Sequence, residues 1–465
     1  MKYIPTIGIE THVQLNTKTK LFAAIGNDAR EAPPNTLISH ICAGMPGALP
    51  VLNAAAIDLV AKAAFALNSK PQKFSKFDRK HYFYPDLPKG YQISQYDQPL
   101  IVGGHVHVEV GGEKICVGIT RAHLEEDAGK STHPAGADYS LVDLNRAGTP
   151  LLEIVSQPDM HSPAQAKAYA RELYLLMKYA GVTDGDMYHG HVRFDVNVSV
   201  SKDSQEPGIR AEIKNLNSFR SVEGAVAYEI KRQTEMLERG EKVVQQTRGW
   251  DEAKQKTTSQ RGKEEAEDYR YMPEPDIPPI ELDDKYVEQI EKSMPQLPPV
   301  IRQKLASIKI EPQVIEDILD QPEFVPRILE AMDKTKTENV RQMIFDLLRD
   351  PKTLEIKLED HIAVAEMIRA GELSSTASKE VLIELKTTPG ARNAAEKLNK
   401  LQVSDEGEIE KIVGEVIGEN PKAAQDVKNG EVKVISFLVG QVMAKSKGQA
   451  NPEIAQKLIK KQLGV

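Results

Sequence analysis

Ile7-Gly-Ile-Glu-Thr-His-Val-Gln-Leu15 changes character at almost every step. Its odd positions, Ile7, Ile9, Val13 and Leu15, are apolar apart from Thr11, while the even ones set Glu10, His12 and Gln14 side by side. A strand repeats every two residues, so this segment buries one surface and presents an acid, an imidazole and an amide on the other. Residues 193–200 repeat the pattern, with Phe194, Val196, Val198 and Val200 against Arg193, Asp195, Asn197 and Ser199. Residues 209–214 set Ile209, Ala211 and Ile213 against Arg210, Glu212 and Lys214. A solvated sheet face normally scatters Thr, Lys, Gln and Glu. Carboxylates, a histidine and cations gathered on three short strands read instead as a site.

A fourth segment adds to it. Arg121-Ala-His-Leu-Glu-Glu-Asp127 follows the apolar run Ile115, Val117, Ile119. Three adjacent carboxylates repel one another, so a folded chain keeps them where they are solvated or face a cation. Taken alone the triplet reads as an acidic loop; beside the three polar-faced strands it reads as part of a cation site.

The 465 residues suffice for two or three domains, and 40% hydrophobic content supports true cores. No apolar run approaches the length of a membrane span. A net charge of −8 excludes a generic polyanion binder, so any nucleic-acid contact has to come from local basic patches. Only Cys42 and Cys116 are present, too few for a disulfide framework or a four-cysteine zinc module. The amino terminus enters a strand without a basic-apolar leader, and the expectation is a cytoplasmic protein with no membrane association.

Strand patterns fall near 4–15, 100–110, 114–124, 140–146, 193–200 and 209–215, with Gly111-Gly112 as a hairpin turn. Helices are signalled at 52–67, 162–179 and 221–239; the second opens with Ser162-Pro163 and stops at Gly181. Strands and helices do not alternate regularly, which predicts an α+β antiparallel-sheet domain rather than a doubly wound one. Residues 248–270 are highly charged and read as a mobile loop or solvated helix, and the proline run 272–279 reads as a domain border. After a second proline cluster at 295–299 the pattern is helical, notably at 314–319, 325–332 and 340–348. The expected domains are 1–292, 293–403 and a small tail, 404–465. In that tail seven lysines between 428 and 465 face only Glu431 and Glu453, which suits a phosphate-backbone contact or a solvated helical surface.

Several motifs fail. Gly129-Lys-Ser131 lacks the earlier glycine of a phosphate-binding loop, since position 124 is Leu. His107-Val-Glu109 has deaminase spacing without the later cysteines, and a strand face explains it better. Cys42 has no catalytic partner in sequence and reads as structural.

Ordered matches run along nearly the whole chain. They are Ile7–Leu15 as quoted, Pro46-Gly-Ala-Leu-Pro-Val-Leu-Asn53, the aromatic and basic stretch 78–90, and His123-Leu-Glu-Glu-Asp-Ala-Gly-Lys130. Asp143-Leu-Asn-Arg-Ala-Gly148, Leu151-Leu-Glu-Ile-Val155, Glu212-Ile-Lys-Asn-Leu-Asn217 and Asp268-Tyr-Arg-Tyr-Met-Pro-Glu-Pro-Asp276 follow. Together they resemble the GatB family of the tRNA-dependent amidotransferases, and the end of the chain resembles that family's YqeY-like domain. The resemblance implies a glutamine-synthetase-like cradle, a helical domain and a helical tail. It implies ATP-dependent phosphorylation of glutamate or aspartate mischarged on tRNA(Gln) or tRNA(Asn), followed by amidation with ammonia from an amidase partner (GatA), in a heterotrimer braced by a small third component (GatC). Zinc is not expected, because Cys42 alone remains of the four-cysteine site that many relatives carry between Phe22 and Pro46.

Under that resemblance Glu10, His12, Glu125, Glu126, Asp127 and Asp195 are expected metal ligands, with Glu212 and Lys214 joining the catalytic set. Magnesium is the expected ion, and the imidazole makes manganese a plausible substitute. His12 is alternatively a strand histidine bonded to a carboxylate. Arg193, Arg210 and Lys214 either grip phosphates or pair with Glu212 and Asp195. Lys80, Tyr82, Tyr84 and Lys89 are assigned to ATP or the tRNA end, and Lys433, Lys445, Lys447, Lys460 and Lys461 to tRNA. The rival readings are a non-catalytic tRNA-binding protein and a metal-dependent nuclease.

Overall fold

A computed structural model describes residues 3–202, 208–260, 268–402, 406–446 and 449–465. The strands that build and flank the site are β1 (Ile4–Gln14), β2 (Phe74–Ser75), β3 (Asp78–His81), β4 (Tyr91–Ser94), β5 (Ile101–Val102), β6 (His105–Val110) and β7 (Glu113–Glu126). After the short pair β8 (Lys130–Thr132) and β9 (Leu141–Asp143) come β10 (Pro150–Ser156), β11 (Val192–Ser201) and β12 (Ala211–Leu216). Then follow β13 (Gln246–Asp251), β14 (Lys256–Ser259), β15 (Met272–Pro273) and β16 (Ile280–Glu281). Helices α1 (Ala54–Ala66), α2 (Pro163–Tyr179), α3 (Phe219–Glu238) and α4 (Asp284–Lys292) accompany them. The chain divides into compact units 1–300 and 301–465.

The first unit is mixed α/β around a nine-stranded sheet ordered β14-β13-β12-β11-β1-β10-β7-β5, with β6 also on β7. Neighbours in that path are antiparallel except β12 and β13, and the α3 crossover supplies the connection a parallel pair needs. The alternation of the first strand is realised in packing: Ile7, Ile9 and Val13 are buried in one core with Phe194, Val196 and Val198. Residues of α2 and α3, including Tyr169, Leu173, Val222 and Val226, fill the same core. Each such aliphatic side chain contributes about 1.5–3 kcal/mol by leaving water. Thr11, the polar break in the apolar phase, is buried there too.

Local signals set the helix starts. Ser162 caps α2 by accepting from Gln165 N at 3.2 Å, with Pro163 as the first helical residue. Ser218, three residues before the expected start, caps α3 by accepting from Ser221 N at 3.0 Å. Between β6 and β7, Gly111 and Gly112 both take positive φ (61° and 84°), as a two-residue hairpin requires. A second glycine pair, Gly103–Gly104, interrupts the sheet edge between β5 and β6; at Gly104 a Cβ would meet Leu67 O at 2.5 Å.

Two segments differ from their sequence reading. Where 248–270 reads as loop or solvated helix, 246–251 and 256–259 form the hairpin β13–β14 at the sheet margin, and 261–267 lie outside the described residues. The charge there is not merely solvated: Arg248 is buried against Glu229 of α3 at 3.4 Å and donates to Thr257. The proline run after Met272 is sewn into the first unit at both ends, Met272–Pro273 pairing with β3 and Ile280–Glu281 with β2.

In the second unit the regular elements among the described residues are helical. Residues 356–395 and 409–463 form separate apolar clusters. The second of these contains helices Glu406–Glu419, Pro421–Lys428, Ile435–Lys445 and Pro452–Leu463. The expected border at Ser404 falls outside the described residues. Among the described residues no helix is long and apolar enough to cross a membrane.

Glu229 is fully buried and holds Arg232, Gln233, Thr257 and Arg248, so it ties α3 to the edge hairpin. Glu229→Ala leaves Arg248 buried without its counter-charge and is expected to cost about 3 kcal/mol in urea unfolding. Arg239→Ala breaks only the exposed pair with Glu241 and should leave the urea midpoint where it is.

Candidate active site

Register turns the polar faces into a row. His12 lies opposite Glu153 of β10 on one side and Arg193 of β11 on the other, and Glu153 lies opposite His123 of β7. Directly opposed residues of antiparallel strands share a face, so Arg193, His12, Glu153 and His123 cross four strands in line. In the neighbouring row Glu10 opposes Asp195. One row further, Asn197 opposes Glu212, and its amide donates to Glu10 at 3.2 Å.

His12 Nε2 lies 3.3 Å from Glu153 and 3.8 Å from Glu125; His123 Nε2 lies 3.5 Å from Glu125 and 3.7 Å from Glu153. The ligand atoms of His12, Glu125 and Glu153 all lie within 4.8 Å of one another. Burial disfavours a charged imidazole, yet the hydrogen bond and charge of Glu153, with Glu125 and Asp195, raise His12 to about 9. Glu153 is held well below the usual carboxylate range; burial opposes this, but His12, His123 and Lys80 outweigh it. Glu10 is pushed up, first by burial and then by the charges of Glu153, Glu212 and Asp195. Of these acids Glu10 is the one whose charge its surroundings disfavour.

A small sheet, β15-β3-β4, stands against the end of β7. From it Ser94 donates to Glu125 at 3.3 Å and the Ile93 amide donates to Glu126 at 3.0 Å. Burial opposes the charge on Lys80 of β3, yet Glu125 and Glu153 among its neighbours hold it protonated. Its Nζ sits 4.8 Å from the Tyr269 ring centre and 5.9 Å from that of Tyr82. Burial and the nearby carboxylates push the Tyr82 hydroxyl far up. The Tyr82 ring packs 6.0 Å from that of Tyr84, whose side chain is exposed.

The other expected residues are placed as follows. Glu126 and Asp127 do not join the cluster: Glu126 points to the opposite face of β7 from Glu125, and Asp127 lies past the end of that strand. Glu126 pairs with Lys89, and Asp127 takes Arg146 at 3.2 Å and Arg193 at 3.1 Å. Asp195 sits at a bulge of β11, where its carboxylate accepts the amide of Asn215 at 2.7 Å, a residue held at φ 58°. Lys214 pairs with Glu212 at 3.2 Å. Arg210, just before β12, lines a cleft of about 320 Å³ together with Glu10, Asn197 and Ser199. Ile209, expected on the apolar face, is exposed. Cys42 is buried beside Ser39 and the ammonium of Lys20.

The lysines of the tail belong to the second unit. Lys445 is held by Glu415 at 2.7 Å and Glu419 at 2.6 Å, and Lys461 lies 3.6 Å from Glu410. Lys433 and Lys460 are without an ion pair among the described residues, Lys460 is exposed, and Lys447 lies outside them. The tail's basic excess is thus partly neutralised by acids on helix Glu406–Glu419.

Sequence reasoning did not assign Glu153 or His123 to the site. The available signal for Glu153 was a lone carboxylate inside the apolar run Leu151–Val155. That run reads as a strand buried on both faces, in which an unpaired acid is costly.

The first unit is thus a sheet with buried carboxylates and histidines on one face and helices on the other, and comparison with known proteins gives its family. Residues 5–288 match the GatB/GatE catalytic domain and residues 334–463 match the GatB domain. One relative is the B component of the aspartyl/glutamyl-tRNA(Asn/Gln) amidotransferase of Thermotoga sp. (strain RQ2). It is 42% identical over 480 residues, covering 100% of this chain and 99% of the relative. The corresponding proteins of Moorella thermoacetica (41% over 478 residues, all of both chains) and Persephonella marina (42% over 476 residues, all of both chains) are similar in the same way. The chain belongs to the GatB family.

In the metal-free protein, the stability gained from pairing charged His12 with Glu153 is full below about pH 6.5, the unfolded value, and is lost as pH rises through about 9. Glu153→Gln removes the main anionic partner, so an NMR titration of the His12 imidazole should move from about 9 down towards its ordinary 6.5.

Proposed function

We propose that this chain is the activating and amidating component of a tRNA-dependent amidotransferase. In this reading ATP phosphorylates the side-chain carboxylate of a glutamate or aspartate esterified to tRNA(Gln) or tRNA(Asn), releasing ADP. Ammonia then attacks the acyl phosphate and inorganic phosphate leaves, giving Gln-tRNA(Gln) or Asn-tRNA(Asn). The reaction class is carbon–nitrogen ligation with glutamine as amido donor. The nitrogen arrives from an amidase partner (GatA) in a cytoplasmic heterotrimer completed by GatC. The names of the relatives supply the tRNA and the amido transfer. The observation that carries the chemistry to these residues is the convergence of His12, Glu125 and Glu153, flanked by Glu10 and Asp195, on one sheet face. The large sheet with helices on its other face suits a glutamine-synthetase-like cradle.

The donor set fits magnesium. Carboxylates supply hard oxygen donors, the single imidazole leaves room for manganese, and the mutual repulsion felt by Glu10 is what a cation would relieve. His12, Glu125 and Glu153, whose ligand atoms lie within 4.8 Å of one another, would hold the ion, with Glu10 and Asp195 flanking them. A bound divalent ion supplies neutralisation between a triphosphate and the incoming carboxylate. The chain's own residues do the rest. Lys80, fixed over the acids by its aromatic neighbours, offers positive charge where the acyl phosphate forms. Phosphate binding is assigned to Arg210, on the rim of the cleft beside Glu10, and to Lys214, which pairs with Glu212 in the free protein. Tyr82, Tyr84 and Lys89 are assigned to the nucleotide or the tRNA end, and Arg193 steadies Asp127 at the edge of the site.

The decisive measurement is γ-phosphate release by the purified complex with Glu-tRNA(Gln). Glu125→Ala and Asp195→Ala should each lower it about a hundredfold or more while the partner's glutaminase activity persists. Near-normal phosphate release in both variants overturns the assignment, and RNA cleavage with magnesium but no ATP would favour a nuclease. For tRNA, Lys433→Ala with Lys460→Ala should weaken binding and reduce the salt slope by about one per lysine, whereas Lys445→Ala, already neutralised by two glutamates, should change it less. Filter binding across a salt series tests this.

A further inference from the structure

The hairpin β6–β7 carries a second cluster of metal-binding side chains, far in donor chemistry from the carboxylate site. His105, His107 and Cys116 place one nitrogen, one nitrogen and one sulfur within 4.8 Å of one another. Register explains the convergence. His107 lies directly opposite Cys116, and His105 is two residues from His107 on the same face, opposite Gly118. Val106 and Val108 on the reverse face are buried in the core, which pins the outward direction of both imidazoles. The two rings lie 4.7 Å apart at 69°. Cys116 is exposed and His107 is exposed, so an ion could reach the cluster from solvent.

We propose that His105, His107 and Cys116 form a binding site for a borderline-soft divalent ion of which Zn²⁺ is the representative. The donor set decides the class of ion. Two imidazoles and a thiolate suit zinc, whereas a magnesium site demands oxygen. In four-coordinate zinc the donor atoms sit about 3.3–3.8 Å apart, given metal–ligand bonds of about 2.0–2.3 Å, so rotation of exposed side chains by about 1 Å closes the site. Binding takes the proton from the Cys116 thiol, and water fills the fourth position. The hairpin is a rigid platform for this, closed by Gly111-Gly112 and fixed by six opposed pairs. The site is independent of the amidation reading and of Cys42, which is buried elsewhere beside Lys20.

Cobalt tests it, because a thiolate ligand gives Co²⁺ a near-ultraviolet charge-transfer band that a carboxylate–histidine site lacks. With the full-length chain, one equivalent of Co²⁺ should produce that band, and Zn²⁺ should displace it. Cys116→Ser should abolish the band, although Cys42 remains, and His107→Gln should weaken uptake roughly tenfold or more. No band, or a band that survives in Cys116→Ser, overturns the proposal. So does equal millimolar uptake by all three proteins, which would mean an adventitious ion only.

Discussion

The pairing of β1 with β10 in one particular register is the constraint on which the rest depends. It sets His12 opposite Glu153 and, through the other edge of β1, Glu10 opposite Asp195. Side chains alternate faces along a strand, so a slip of one residue would turn His12 into the helical core and bring Ile9 and Val13 into water. The apolar phase and the chemical phase are therefore specified by the same hydrogen bonds. Burial of Ile7, Ile9 and Val13 under α2 and α3 holds the reactive face in place, although none of those side chains touches it.

The electrostatics follow from this geometry. Two carboxylates about 4 Å apart repel by about 4 kcal/mol at an effective dielectric near 20. The fold offsets that with His12, His123 and Lys80 set among Glu125 and Glu153. A second group of acids lies outside that cluster: Glu126, turned to the other face by the pleat, meets Lys89, and Asp127, past the strand end, meets Arg146 and Arg193. Adjacent residues of one sequence triplet thus do different work. Glu125 faces the cluster, while the next two brace the strand end against the small sheet and against β11.

Much of this was legible in the sequence. The period-two patterns of β1 and β11 announced both the sheet and the polar face, and Ser162-Pro163 announced α2 because capping chemistry is local. What was hidden depends on tertiary pairing. Glu153 sits in a run that looks wholly buried, and only the neighbouring strands reveal that one face of it is polar. The hairpin β13–β14 was obscured for a related reason: its charged composition resembles solvated loop, but Arg248 is neutralised by Glu229, sequentially remote on α3. Adjacent acids at 125–127 looked equivalent because spacing alone does not say where the strand ends. The lysines of the tail looked free because their partners Glu415 and Glu419 precede the stretch in which the charges were counted.

The margins of the large sheet are short or broken. On one side β14 offers four residues, and on the other β5 and β6 are interrupted at Gly103–Gly104. Unpaired backbone at a sheet edge is an open template for strand addition by another chain, and interruption is a common defence against it. Short, interrupted margins of this kind disfavour edge-to-edge pairing between copies of the chain and leave recognition to side chains on the faces of the sheet.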